Sequence, residues 1–353
     1  MAIGILGTGS YIPKVVTKNE HFLEHEFYSN QGDRFEVDNT EIIEKFQAIT
    51  GIRERRYAQD DELTSDLGYQ AAKNAIEDAT IDKESIDYII FAHNFGDVRK
   101  GENQSDLIPS LASKVKNQLE IKNPNCVAYD MIFGCPGWIE AMIQAKAFIQ
   151  SGMAKNCLVI GGEALSRVVD HHDRDSMIFA DGAGACILGE TQGHGEILAH
   201  HSQTFAGDET FYLYFDKSNH KENGYDKTRF IKMNGRKVYE LAVVNVPEAL
   251  RVCLEKSGES IENVKKVFIH QANEKMDEAI IKRFYRKFKK EVPENVMPMN
   301  IQTVGNNSVA TVPILYDMVR QGVYSEHQLR EGDIVIMASV GAGMNINALV
   351  YKY

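Results

Sequence analysis

The chain has 353 residues, 43% of them hydrophobic, enough to bury a large core as two structural units or one large domain. Its 39 Lys and Arg stand against 50 Asp and Glu, a net charge of -11, which opposes non-specific attraction to nucleic acid or an anionic membrane. No window approaches the ~18 consecutive apolar residues of a membrane helix, the first residues lack a signal peptide's basic region, and five scattered cysteines argue for a reducing, cytoplasmic setting over a disulfide framework.

Ile3 to Leu6 is a short β-type run, and Gly7-Thr8-Gly9 reads as the turn that closes it. A dinucleotide loop does not fit there, because the third glycine would fall at Ile12 and Pro13 interrupts the helix that should follow. Asn19 to Phe46 is charged and aromatic with partial periodicity, and Gly51-Ile52-Arg53-Glu54-Arg55-Arg56 gives a turn and a basic run. Leu63 to Ala79 predicts a helix, with Leu67, Ala71, Ala72, Ala75 and Ile76 on its apolar face. Tyr88 to Ala92 is a buried strand, His93 to Asp106 a polar exposed loop, and Ile108 to Leu119 a further helix.

Val127 to Glu163 reads as a β-type run, Cys135, a helix and a second β-type run. Pro136 suits a first helical position, which makes Cys135 the predicted N-cap. Trp138, Met142, Ala145 and Ile149 form an apolar stripe, and Gly152 marks the helix end. A thiol at the positive end of a buried helix has its thiolate favoured and its pKa lowered, which suits a nucleophile. Cys126, Cys157, Cys186 and Cys253 lie in or beside apolar runs and read as packing.

From Ser176 to Gly189 small residues suggest a tight turn between extended runs, and the first β/α series ends near Glu190, dividing the chain into 1–190 and 191–353. Thr191 to Lys232 carries little readable pattern. Val238 to Glu255 is a helix in which Pro247 predicts a bend, Val264 to Ile269 a strand, and Glu274 to Lys290 a basic helix. Thr311 to Arg320 is helical, and Ile334 to Val340 is a strand leading into Gly341-Ala342-Gly343. Strands alternating with helices in both halves give an α/β fold with layered sheets.

Two polar residues stand where sites form in such sheets. His270 ends the strand Val267-Phe268-Ile269, and Asn306 lies in the turn Gly305-Asn306-Asn307-Ser308 ahead of a helix. With Cys135 they supply a thiol, an imidazole and an amide donor. A papain-like hydrolase has the same Cys, His, Asn order, but places its cysteine near the mature N-terminus with a different local signature. His171-His172-Asp173 lacks metal-ligand spacing, so no metal is expected.

Gly51-Ile52-Arg53-Glu54-Arg55, the cysteine elbow, Asp181-Gly182-Ala183-Gly184-Ala185, His270-Gln271-Ala272-Asn273, Gly305-Asn306 with Ser308, and the Gly341 turn together resemble one family. In order and approximate spacing they are similar to the thiolase-fold condensing enzymes, within them the β-ketoacyl-acyl-carrier-protein synthase III group, over almost the whole chain. The resemblance implies a thiolase-like α/β fold of two stacked halves in five layers, a homodimer, and no metal or redox cofactor. It implies Cys135 as nucleophile, His270 and Asn306 as the pair assisting decarboxylation, and the backbone N–H groups of Cys135 and Ala342 as oxyanion donors. The implied reaction joins an acyl thioester primer to a malonyl thioester on a carrier protein, with acyl transfer or non-decarboxylative condensation on the same fold as alternatives.

By the same resemblance Arg167 contacts the nucleotide of a coenzyme A primer, Val340 shapes the acyl tunnel, and Ile108 is lent across the dimer. Lys275, Lys282 and Arg283 match carrier-protein docking positions. A tryptophan and an arginine that clasp coenzyme A in the group are matched here by Lys45 and Ile49, which implies a primer other than acetyl-CoA.

Overall fold

A computed structural model describes residues 2–193, 195–221 and 227–353. The chain opens with β1 (Ala2–Tyr11), β2 (Val15–Lys18), α1 (Asn39–Thr50), β3 (Glu54–Tyr57) and α2 (Thr64–Ala79). It continues through β4 (Tyr88–Ala92), α3 (Leu111–Gln118), β5 (Val127–Met131), α4 (Gly137–Gln150), β6 (Cys157–Ala164) and β7 (Asp181–Thr191). Apart from the small β2/β3 pair, these strands form one sheet in the order β1-β7-β6-β4-β5, with β4 parallel to both β5 and β6.

The second part contains β8 (Glu196–Thr204), the hairpin β9 (Leu213–Asp216) and β10 (Phe230–Met233), and α5 (Gly235–Ser257). It ends with β11 (Val264–Ile269), α6 (Glu274–Lys287), α7 (Ile301–Val304), α8 (Thr311–Arg320), β12 (Ile334–Gly341) and β13 (Asn345–Lys352). Its main sheet runs β11-β12-β13-β8.

Side-chain alternation sets the layers. In β6, Leu158 and Ile160 pack on the α2/α3 side, while Cys157 and Val159 face α4. In β12, Val335 and Met337 join that same central cluster, and Ile334, Ile336 and Ala338 face α5 and α6. Both sheets are therefore covered on both faces, which is why their strands read as unbroken apolar runs. Helices α4 and α8 fill the space between the sheets, around Trp138 and Leu315. The result is five layers: helices, sheet, helices, sheet, helices. Trp138, 1% exposed, is worth roughly 1.5–3 kcal/mol of burial, as for other large apolar side chains.

Two glycine-rich runs predicted as turns are strands. Gly7-Thr8-Gly9 lies inside β1, where a Cβ on either glycine would collide with the backbone of α2. Gly182 to Gly189 lies in β7, and a Cβ at Gly184 would stand 2.7 Å from Pro313 Cβ and 2.8 Å from Ile314 N of α8. The glycines permit helix-on-sheet approach, not chain reversal. The helix foreseen from Ile108 starts at Leu111, with Ser110 accepting a hydrogen bond from Ser113 N as its cap. The stretch after His93 is not simply exposed, since His93, Gly96, Asp97 and Val98 are buried.

Asp277, on α6, is fully buried, and neither carboxylate oxygen has a hydrogen-bond partner among the described residues. Burial holds its carboxyl well above the usual range. The fold therefore favours the protonated form, and this contribution to stability is present below the unfolded-state pKa and lost as pH rises through the folded one. Asp277→Leu is expected to raise unfolding free energy at neutral pH by roughly 1–3 kcal/mol. Urea melts should also show a shallower fall in stability as pH rises from the ordinary carboxylate range.

Candidate active site

Cys135 lies in the loop between β5 and α4. The helix begins at Gly137 with Pro136 as its N-cap, so Cys135, expected at that position, stands one residue before it. The turn that follows β12 presses against this loop backbone to backbone. A Cβ at Gly341 would lie 2.5 Å from Cys135 N, and one at Gly134, whose φ is +72°, would lie 2.9 Å from Ala342 N. Cys135 and Ala342 are thus brought side by side.

The thiol does not have the lowered pKa that the helix end suggested. Burial pushes it up to about 11; a Ser308 hydroxyl donating to Sγ at 3.3 Å pulls it down, and the Glu163 carboxyl adds to the rise. Desolvation outweighs the helix end, which starts farther along the chain than expected. At neutral pH Cys135 is therefore a neutral thiol, and any attack by its sulfur requires that proton to leave.

His270 continues β11, its N–H donating to Ala338 O of β12 at 2.8 Å. Its side chain is buried, and burial lowers its pKa to about 4 while the Ser308 backbone opposes the shift. At neutral pH it is an uncharged imidazole, able to donate at one nitrogen and accept at the other. The next three residues of the motif build the surroundings. Gln271 Oε1 accepts from Asn300 N and Ile301 N at 3.0 Å each, and Asn273 Oδ1 accepts from Met276 N to cap α6.

Asn306 is held on three sides. Its N–H donates to Ile178 O at 3.1 Å, its carbonyl accepts from Ala180 N at 2.9 Å, and its Oδ1 accepts from Ser308 N at 2.8 Å. With Oδ1 engaged, Nδ2 keeps its donor hydrogens for the cavity. Gly305 before it has φ +77°, and a Cβ there would lie 2.7 Å from Arg55 Cβ. Arg55, fully buried, donates to Met177 O, Thr17 O and Asn19 Oδ1, and lies over the Phe22 ring. Within the basic run seen in the sequence, Arg55 is thus a buried clamp under the Asn306 turn, whereas Arg53 is exposed.

Cys135, His270, Asn306, Ser308, Val340 and Ala342 line one cavity of about 230 Å³. Its other walls are mainly apolar and include Phe95, Leu165, Phe179 and the β9/β10 residues Leu213, Phe215 and Ile231. An outer cavity of about 410 Å³, lined by Lys45, Phe46, Ile49 and Arg174 among others, shares Ile178, Met233, Val238, Ala272 and Met276 with the inner one. The two run together toward the surface.

Other expected site residues fall elsewhere. Arg167 lines neither cavity; its Nη2 donates to Gln59 O at 2.6 Å. That carbonyl holds the guanidinium against the loop before α2. Ile108 is 89% exposed and outside the cavity of its own chain. On α6, Lys275 and Lys282 are exposed. Arg283 has a structural tie: Pro247 lacks an N–H, leaving Val243 O without its helix partner, and Arg283 Nη1 donates to that carbonyl at 2.8 Å. Lys287 pairs with Glu248 and Lys290 with Glu262, which neutralises part of the basic patch.

Asn94, Phe95, Glu163 and the β9/β10 hairpin were missed. Asn94 follows a buried strand, the signal that singled out His270. Among the described residues no group of three or more His, Cys, Asp or Glu side chains could hold a metal ion, and no helix is long and apolar enough to cross a membrane.

Five layers with a cysteine elbow facing a His at the end of β11 and an Asn in the turn between α7 and α8 define a thiolase-fold enzyme. Comparison with known sequences narrows the class. The chain belongs to the 3-oxoacyl-[acyl-carrier-protein] synthase III family, whose model matches residues 129–205 and whose C-terminal model matches residues 254–353. It is 33% identical to β-ketoacyl-[acyl-carrier-protein] synthase III of Aquifex aeolicus over 100% of both chains. Identity to the protein of the same name from Oceanobacillus iheyensis is also 33%, covering 100% of this chain and 99% of that one. The crystal structure of the Aquifex aeolicus 3-oxoacyl-[acyl-carrier-protein] synthase III superposes with a TM-score of 0.80 at 32% identity, covering 99% of this chain and 100% of that one.

Proposed function

We propose that this chain condenses an acyl thioester primer with a malonyl thioester through an acyl-Cys135 intermediate, releasing CO2 and a β-ketoacyl thioester. The observation that carries the reading is the convergence of a thiol, a neutral imidazole and a fixed amide donor on one largely apolar cavity. Cys135 Sγ bonds to the primer carbonyl carbon, the bond to the carrier sulfur breaks, and the thiol proton, taken up by His270, ends on the leaving thiolate. The malonyl carboxylate then leaves as CO2, and its electron pair forms an enolate whose oxygen accepts hydrogen bonds from His270 and Asn306. The enolate carbon attacks the acyl-Cys135 carbonyl, whose oxyanion is held by the N–H groups of Cys135 and Ala342. Collapse of that oxyanion breaks the acyl carbon–sulfur bond, and the Cys135 thiolate released takes up a proton from solvent.

The malonyl donor arrives on an acidic carrier protein that docks on Lys275 and Lys282, with Arg283 serving chiefly to tie α6 to α5. Lys45 and Ile49 in the outer cavity favour a primer other than acetyl-CoA, and Val340 shapes the acyl chain's place. The chain divides near Glu190 into two similar halves and works as a cytoplasmic homodimer. Support for the dimer comes from β5, an edge strand, and from exposed Ile108 and Ile132 near it.

Intact-protein mass spectrometry with a panel of acyl thioesters, followed by malonyl carrier protein, tests the reading. Adducts cleared on malonyl addition with a β-keto product are expected; adducts cleared equally by water or an alcohol would replace condensation with hydrolysis or acyl transfer. Gly305→Ala is expected to cost roughly 1–3 kcal/mol of stability and, by moving Asn306, to slow malonyl decarboxylation at least about tenfold, a loss of 1.4 kcal/mol or more. Thermal unfolding and CO2 release measure the two effects.

A further inference from the structure

Behind the nucleophile lies a polar chain that the condensation does not use directly. Asn94 Nδ2 donates a short hydrogen bond to Glu163 Oε1 and a second, at 3.3 Å, to Ser308 Oγ. Ser308 Oγ in turn donates to Cys135 Sγ at 3.3 Å. We infer that Asn94, held by Glu163, is a positioning residue that aims the Ser308 hydroxyl at the Cys135 sulfur.

The argument is one of hydrogen-bond counting. An amide NH2 carries two hydrogens and no more, and Glu163 and Ser308 take one each. A serine hydroxyl has a single hydrogen that rotates to suit its neighbours. Once its oxygen accepts from Asn94, that hydrogen is left to the sulfur. The Ser308 backbone is fixed independently, with φ +51° and its N–H given to Asn306 Oδ1 at 2.8 Å. A donor held on a sulfur favours the thiolate over the thiol.

Glu163 suits the anchoring role. It is the penultimate residue of β6, opposite Gly182 of β7, and is 1% exposed. Its acidic neighbour Asp181 is otherwise committed, accepting from Ser166 and from Ala58 N. Burial pushes the Glu163 carboxyl up to about 8, the Asn94 hydrogen bond opposing that rise and Asp181 adding to it. Near neutral pH it is mostly uncharged and sets little charge against a forming thiolate; above about 8 it does.

This inference rests on the proposed role of Cys135, but its test can fail separately. Iodoacetamide alkylation of Cys135 is followed by mass spectrometry across pH, with Cys135→Ala as blank; the other four cysteines are at most 2% exposed. Asn94→Ala is expected to displace the profile upward by about one pH unit, seen as about tenfold slower alkylation at any pH below the midpoint. Glu163→Leu should behave likewise, and Glu163→Gln, which keeps an acceptor for Asn94, should stay within about twofold of wild type up to neutral pH. Acylation by a primer thioester should slow in parallel in Asn94→Ala, while malonyl decarboxylation stays within about twofold. An unchanged alkylation profile in Asn94→Ala, with wild-type thermal unfolding, overturns the inference even if Glu163→Leu fails to fold. Equal loss of acylation and decarboxylation with that profile unchanged also overturns it. Wild type that alkylates but never forms an acyl-enzyme would overturn the proposed function, leaving the alkylation shift to decide this inference.

Discussion

Replacing Cys135 with alanine is expected to abolish the acyl-enzyme and lower condensation at least about 10⁴-fold, some 5.5 kcal/mol of transition-state stabilisation. Malonyl decarboxylation should persist, because in the proposed mechanism the enolate charge is received by His270 and Asn306, neither of which needs the sulfur. Serine at the same position would keep a hydroxyl beside Ser308 but offers a far weaker nucleophile, so it should also fail to acylate. The split between acylation and decarboxylation is read from adduct mass and CO2 release on the same sample. Loss of both together would mean that Cys135→Ala had collapsed the cavity, a result that thermal unfolding would expose. Free-enzyme alkylation should climb with pH well past neutrality, since burial pushes the thiol up to about 11.

That last expectation was not legible in the sequence. The strand-Cys-Pro-helix setting singled out Cys135, but only the fold shows the elbow walled in by the Gly341 turn, where losing water outweighs the helix end. Local pattern served best where chemistry and periodicity coincide: β4 and β11 run over the residues foreseen, and His270 and Asn306 line the cavity with Cys135. It failed where a residue answers to a distant partner. Gly7 and Gly184 looked like turn formers because the helices they make room for, α2 and α8, lie far along the chain. The tie of Arg283 to α5 was invisible because the carbonyl it satisfies is freed by Pro247, on another helix. The β9/β10 hairpin escaped because β9 is only half-buried and shows no clean alternation, although its residues wall the site.

Asn306→Ala is expected to lower malonyl decarboxylation by about 10²–10³, the usual loss of one preorganised donor, or roughly 3–4 kcal/mol. Acyl-Cys135 formation should survive it, because the enolate forms only after the primer is attached. His270→Ala should lose decarboxylation to a similar extent and also slow acylation, since in the proposed mechanism it removes the neutral base that takes the thiol proton. The two residues address one oxygen, so the double variant should lose much less than the product of the single losses. The pH dependence distinguishes a neutral imidazole donor from an imidazolium. His270 titrates at about 4, so condensation should hold through mildly acidic pH and fail only as pH approaches that value. The sign for stability agrees: a histidine whose folded pKa is depressed contributes stability above its ordinary 6.5 and loses it as pH falls toward about 4. An acid limb near 6.5 in the condensation rate, absent from the unfolding curve, would mean that the imidazole is solvated during turnover and that the buried donor pair is not what receives the enolate.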